Sequence, residues 1–258
     1  MPTKDHGVAI AMILIVWGLA GALFGALFTG LYGVCWVFGL PGWQCLMIAT
    51  AIAGMTTSAF YSAMPVALIG SMAGVLASIG YLMASGLRIE LPTLVGLAGV
   101  AGLVAGSLYG WTITRGSRPL AEMLNGLLAG ILVGAGLVLI FALSGWQTNM
   151  LVLAAIAVTS VGVLFQLSEH WLVEGAVRRL PAALSAPLVA GLIAAVVGAS
   201  IWFVGGATIL MLDAQFTSVF AGVASHIPHG LLGGLLGGSI AGVLLELLGF
   251  HLEESHRA

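Results

Sequence analysis

Glu122, Asn125 and Glu246 are polar side chains set in otherwise apolar stretches of the chain. Ionisable groups in such surroundings are costly and usually functional, so they are the first candidates for chemistry. Glu122 and Asn125 are one helical turn apart and share roughly one helix face. With Glu246 they form a candidate polar vestibule near one membrane surface, where Arg115 and Arg118 are within reach in sequence. The plainer reading is ordinary placement of carboxylates at helix ends.

A second polar set, Asp213, Gln215, Thr217, Ser218, Ser225, His226 and His229, lies between the last two apolar runs. Two histidines three residues apart have a spacing open to a metal or haem, and Asp213 is a candidate third ligand. Pro228 separates them and no further strong ligand has a fixed spacing. Hydrogen bonding at an interface is therefore the default, and no metal or cofactor is expected. The stretch 216–224 is too short to cross a bilayer and reads as a re-entrant or interfacial segment.

Whether these groups share a site depends on the elements that carry them. Hydrophobic residues make up 60% of the 258-residue chain and charged residues 6%, with a mean hydropathy of +1.17. A soluble domain carries about a quarter charged residues, so the outer surface of this chain must face something as apolar as its core. Apolar runs of about 20 residues recur along its length, as a bilayer core of roughly 30 Å requires. They are continuous rather than alternating, which predicts helices and not a barrel. The expected fold is all-α: a polytopic membrane protein of about eight transmembrane helices forming a single integral membrane domain, 1–258. The predicted spans are 8–33, 43–60, 62–85, 91–113, 120–144, 147–168, 184–209 and 229–250, with a tight hairpin near Phe60 between the second and third. The run after Lys4 is too long for a signal-peptide core and reads as a retained first span.

Eight spans place Lys4, Arg115, Arg118, Arg178, Arg179 and Arg257 on one face and Arg88 alone on the other. This is the positive-inside pattern, and it predicts that both termini are cytoplasmic in a multi-pass protein of the cell inner membrane. The stretch 168–185 reads as a solvated cytoplasmic connector, or a short amphipathic helix. The turn between the first two spans then faces outward with Cys35 and Cys45 flanking it, either bridged or simply small apolar residues.

The 38 glycines are patterned. Gly21 and Gly25, Gly70 and Gly74, the series Gly102, Gly106 and Gly110, and the series Gly126, Gly130 and Gly134 all repeat at four residues. Gly230, Gly234, Gly238 and Gly242 do so in the last run, with Gly233 and Gly237 beside them. Spacing of four puts glycines on one helix face, where a neighbouring backbone can approach closely. A tightly packed bundle is expected, with the last span buried through two faces. A glycine-lined path or a seam for another subunit are the functional readings. The runs after Pro92 and Pro187 resemble each other weakly, as an inverted repeat would.

A net charge of −2 and the lack of a basic patch exclude nucleic acid as an expected partner. No nucleotide-binding loop, nucleophile elbow or His-Glu-x-x-His motif occurs, and no span offers a lysine for a Schiff base. Three functions remain: a transporter or channel-like permease for a small solute, a non-catalytic membrane subunit of a larger complex, and a membrane enzyme acting on a lipid or polyprenyl substrate. The enzyme fits worst, because transfer and hydrolysis need more converging charge than any span supplies. The expected partners are the lipid bilayer and either further copies of the chain or other membrane subunits.

Overall fold

The computed structural model describes residues 3–86, 90–112, 119–145, 148–175, 182–208 and 214–249. Among them eight helices run in chain order: α1 (Thr3–Val37), α2 (Gly42–Ser62), α3 (Met64–Ala84), α4 (Leu91–Thr112), α5 (Pro119–Ser144), α6 (Met150–Gly175), α7 (Ala182–Thr208) and α8 (Ala214–Leu247). Each contains a stretch long and apolar enough to cross a membrane, and the protein is a multi-pass α-helical membrane protein.

The largest departure from the sequence expectation is α8. It begins at Ala214 rather than near residue 229, and Pro228 lies inside it. The polar stretch expected as loop and re-entrant segment is therefore the first part of a 34-residue helix of about 50 Å. Proline removes one intrahelical hydrogen bond, but Ala221–Leu247 is a continuous apolar helix whose other bonds outweigh that loss. Likewise α6 continues through Gly175 into the stretch expected as a connector. The break between α2 and α3 falls at Ala63, not Phe60. Pro65 occupies the first turn of α3, and Ala63 alone leaves helical geometry (φ −129°, ψ 41°). Backbone bonds from Ala63 N to Ala59 O and from Ala67 N to Ala63 O join the two helices across it. Asn149 starts α6, its side-chain oxygen accepting from Val152 N at 2.9 Å.

The contacts divide the chain into two compact units. The first comprises α1, α2 as far as Thr57, α5 from Asn125, α6 as far as Trp171, and α8 from Val223. Here α1 and α8 meet backbone to backbone. A Cβ added at Gly234 would strike the Gly21 carbonyl oxygen, one at Gly238 the Trp17 carbonyl, and one at Gly230 the Gly25 carbonyl and the Thr29 hydroxyl. At Gly242 it would lie 3.0 Å from both Ile13 and Trp17. The adjacent glycines face α6: Gly233 abuts the Leu151 carbonyl, and Gly237 abuts Ala155 and Val158. Thr159 of α6 donates to Gly237 O at 2.9 Å. Elsewhere in the unit, Gly130 abuts Thr50 O of α2, and a Cβ at Gly54 would come within 2.6 Å of Gly126 O. Phe24 and Phe28, fully buried on α1, stack with ring centroids 6.0 Å apart.

The second unit holds residues 58–124 and 172–222, with α3, α4 and α7 packed on one another. Ala190 of α7 is fully buried and meets both α3 and α4. A Cβ at Gly70 of α3 would approach Ala190 O to 2.5 Å, and one at Gly106 of α4 the Ala190 Cβ to 2.7 Å. Gly102 abuts the same carbonyl, and Gly74 faces Ala194 one turn further along α7. The weakly similar runs after Pro92 and Pro187 thus pack within one unit. Pro92 opens α4 whereas Pro187 lies inside α7, so the two prolines do not hold equivalent places.

Hydroxyls in these helices mostly bond to their own backbone. Thr29 donates to Gly25 O, Thr50 to Leu46 O, Ser71 to Ala67 O and Ser107 to Leu103 O, each at 2.8–2.9 Å. Such bonds neutralise a polar group where water is absent and consume a carbonyl the helix already satisfies.

Candidate functional site

Glu122 lies in the first turn of α5 and belongs to the second unit. Its carboxyl is partly buried and hydrogen-bonds with the Ser62 hydroxyl at the end of α2. Ser62 Oγ also lies 2.6 Å from Ser58 O, to which it donates. A hydroxyl has one hydrogen, so Ser62 can serve the Ser58 carbonyl or the carboxylate with it, not both. The second carboxyl oxygen of Glu122, Oε2, is buried and has no hydrogen-bond partner among the described residues. Arg115 and Arg118, the bases nearest in sequence, lie outside those residues.

Asn125, one turn further along α5, belongs to the first unit and is 1% exposed. Both ends of its amide are occupied: Nδ2 donates to Phe165 O at 3.0 Å, and Oδ1 accepts from Ser168 Oγ at 2.7 Å. It therefore ties α5 to α6, and neither bond reaches Glu246. Glu246 itself is partly buried in the last turn of α8. On α6, Gln166 Nε2 donates to Glu169 Oε2 at 3.0 Å.

Of the outer set, Asp213 lies outside the described residues. His226 and His229 are both exposed on α8, and His229 Nδ1 donates to Ser225 O at 3.2 Å. That bond closes one turn across Pro228, where the sequence alone points to an interruption. Among the described residues no three His, Cys, Asp or Glu side chains converge to hold a metal ion.

Three further side chains stand out that sequence reasoning did not select. Thr56 and Thr57 on α2, in the first unit, have buried hydroxyl oxygens with no hydrogen-bond partner among the described residues, and so does Ser78 on α3, in the second. Ser78 is fully buried, and Thr56 is 3% exposed. In the sequence the pair Thr56–Thr57 is a polar interruption of a charge-free stretch. Nothing in the sequence sets Ser78 apart from Ser71, whose hydroxyl is satisfied. A buried polar group without a partner costs about 1–3 kcal/mol, and native structures keep few of them. These oxygens can accept or donate to a small polar molecule entering the helices; they do not form a nucleophile–base pair.

The chain matches no protein-family model, and comparison with curated proteins and with solved structures finds no significant similarity.

Proposed function

We propose that this protein is a permease, a transporter or channel-like carrier, for a small neutral or weakly polar solute. The observation that carries this reading is that each unit holds buried oxygens without partners among the described residues, Thr56 and Thr57 in one and Ser78 and Glu122 Oε2 in the other. Their neighbours along the same helices, such as Thr50 and Ser71, close their hydroxyls onto their own backbone. Groups left open inside membrane helices are a recurring mark of substrate paths. A solute bearing hydroxyl or amide groups supplies the missing partners, and a hydrophobic one does not. Glu122 is the ionisable member of the set, and His226 and His229, exposed on α8, are the candidates for contact with solute outside the bilayer. Asn125 supports the path indirectly by fixing α5 against α6.

In this reading both termini face the cytoplasm, as the loop charges favour. The glycine rows of α1, α8, α3 and α4 supply cohesion that hydrophobic burial cannot supply between helices already surrounded by lipid. Two measurements on the purified chain test the proposal: its mass in mild detergent and its solute flux in liposomes. Flux by the chain alone supports it. Stoichiometric foreign subunits together with no flux favour the reading as a non-catalytic membrane subunit.

A further inference from the structure

The turn between α1 and α2 brings the chain's two cysteines, ten positions apart, into one buried cluster. Cys35 is 8% exposed and Cys45 fully buried, and both thiols are free. The turn is tightly specified. Leu40 N donates to Cys35 O at 3.2 Å, Gly39 takes the left-handed conformation at φ +74°, and Cys45 N returns to Pro41 O at 3.1 Å. The Leu40 peptide is gripped by both cysteines, because Cys45 Sγ also donates to Leu40 O at 3.4 Å. The two thiols lie within each other's electrostatic reach.

We infer that Cys35 and Cys45 are a reversible dithiol–disulfide pair, a modification site that accepts oxidising equivalents from a small-molecule or protein disulfide. Closing the pair requires a sulfur–sulfur bond of about 2.05 Å, and the bonds around Leu40 already hold the two chain ends together. The more exposed Cys35 reacts first. Its thiolate attacks one sulfur of the oxidant's disulfide, forming a mixed disulfide and releasing one reduced thiol. The Cys45 thiolate then attacks the Cys35 sulfur, forming the Cys35–Cys45 bond and releasing the second thiol. Two electrons pass to the oxidant's sulfur–sulfur bond, and the two protons end on the released thiols. The closed form ties the end of α1 to the start of α2.

The test uses the intact purified protein in detergent, equilibrated with mixtures of reduced and oxidised glutathione, acid-quenched and alkylated under denaturing conditions. The wild type should lose both alkylation sites together and become lighter by two hydrogen masses, reversibly on return to excess reduced glutathione. C35S should take up no glutathione or keep it as a stable adduct on Cys45, and C45S should accumulate the adduct on Cys35. Two alkylated cysteines at every ratio, a wild-type glutathione adduct that never closes, or disulfide-linked dimers in place of an internal bond would each overturn the inference.

Discussion

Asn125 of α5 and Ser168 of α6, 43 residues apart in the chain, share a 2.7 Å hydrogen bond from the Ser168 hydroxyl to the Asn125 side-chain oxygen. The same hydroxyl lies 2.7 Å from Leu164 O, and the other end of the asparagine amide is bound to Phe165 O. One buried amide thus meets a side chain and a main-chain carbonyl of the facing helix.

Removing that amide should loosen the α5–α6 pair. Asn125→Leu should lower stability in detergent by about 1–2 kcal/mol, because the Phe165 carbonyl and Ser168 hydroxyl each lose an interhelical partner. In a double-mutant cycle with Ser168→Ala the coupling should be about 0.6 kcal/mol, with up to about 1.7 within the range for such bonds in membranes. Thermal unfolding followed by circular dichroism reads both. Zero coupling would mean that the two side chains act independently.

Two glycines on one helix make a controlled test of close packing. On α5, a Cβ at Gly130 would collide with the Thr50 carbonyl of α2, whereas one at Gly136 would meet nothing within 4 Å among the described residues. Gly130→Leu should therefore cost at least the roughly 1–3 kcal/mol typical of overpacking, and Gly136→Leu should be nearly silent. Gly234→Leu, pressed against the Gly21 carbonyl, should behave like Gly130→Leu. Equal melting temperatures for Gly130→Leu and Gly136→Leu would contradict the role given to the glycine rows.

The orientation is tested by reporter fusions. Fusions after Gly116 and after Arg257 should read as cytoplasmic, and one at Gln147 as external, because basic loops are retained inside. An external signal at Gly116 would reverse the arrangement.

The helices were legible because hydropathy acts over a whole run, and eight runs of sufficient length leave the chain few alternatives. Their ends were less legible where polarity and helicity part company. Ser225, His226 and His229 read as loop because they are polar and flank a proline, yet a helix longer than the bilayer can carry them without penalty. The glycine periods were visible, but not their partners: nothing local pairs Gly234 with Gly21 or Gly70 with Ala190, since those are choices made by the packed whole. The same limit governed the site. Asn125 drew notice as a polar group in an apolar run, but its engagement by Ser168 is a tertiary fact. Ser78 and Ser71, identical in type and on one helix, differ only in whether the hydroxyl finds a carbonyl.

The central claim, that the chain alone moves a small neutral or weakly polar solute, is tested most directly by flux in liposomes containing only the purified protein. Stopped-flow light scattering with glycerol and urea as probes should show re-swelling faster than in empty liposomes for at least one of them. Thr57→Val, which keeps the side-chain shape and removes the hydroxyl, should lower that rate by about tenfold at unchanged protein incorporation, the equivalent of roughly 1.4 kcal/mol for one lost polar contact, and Glu122→Gln, which keeps the shape and removes the charge, should lower it as well. Wild-type rates equal to those of empty liposomes, or rates unaffected in both variants, would contradict the account.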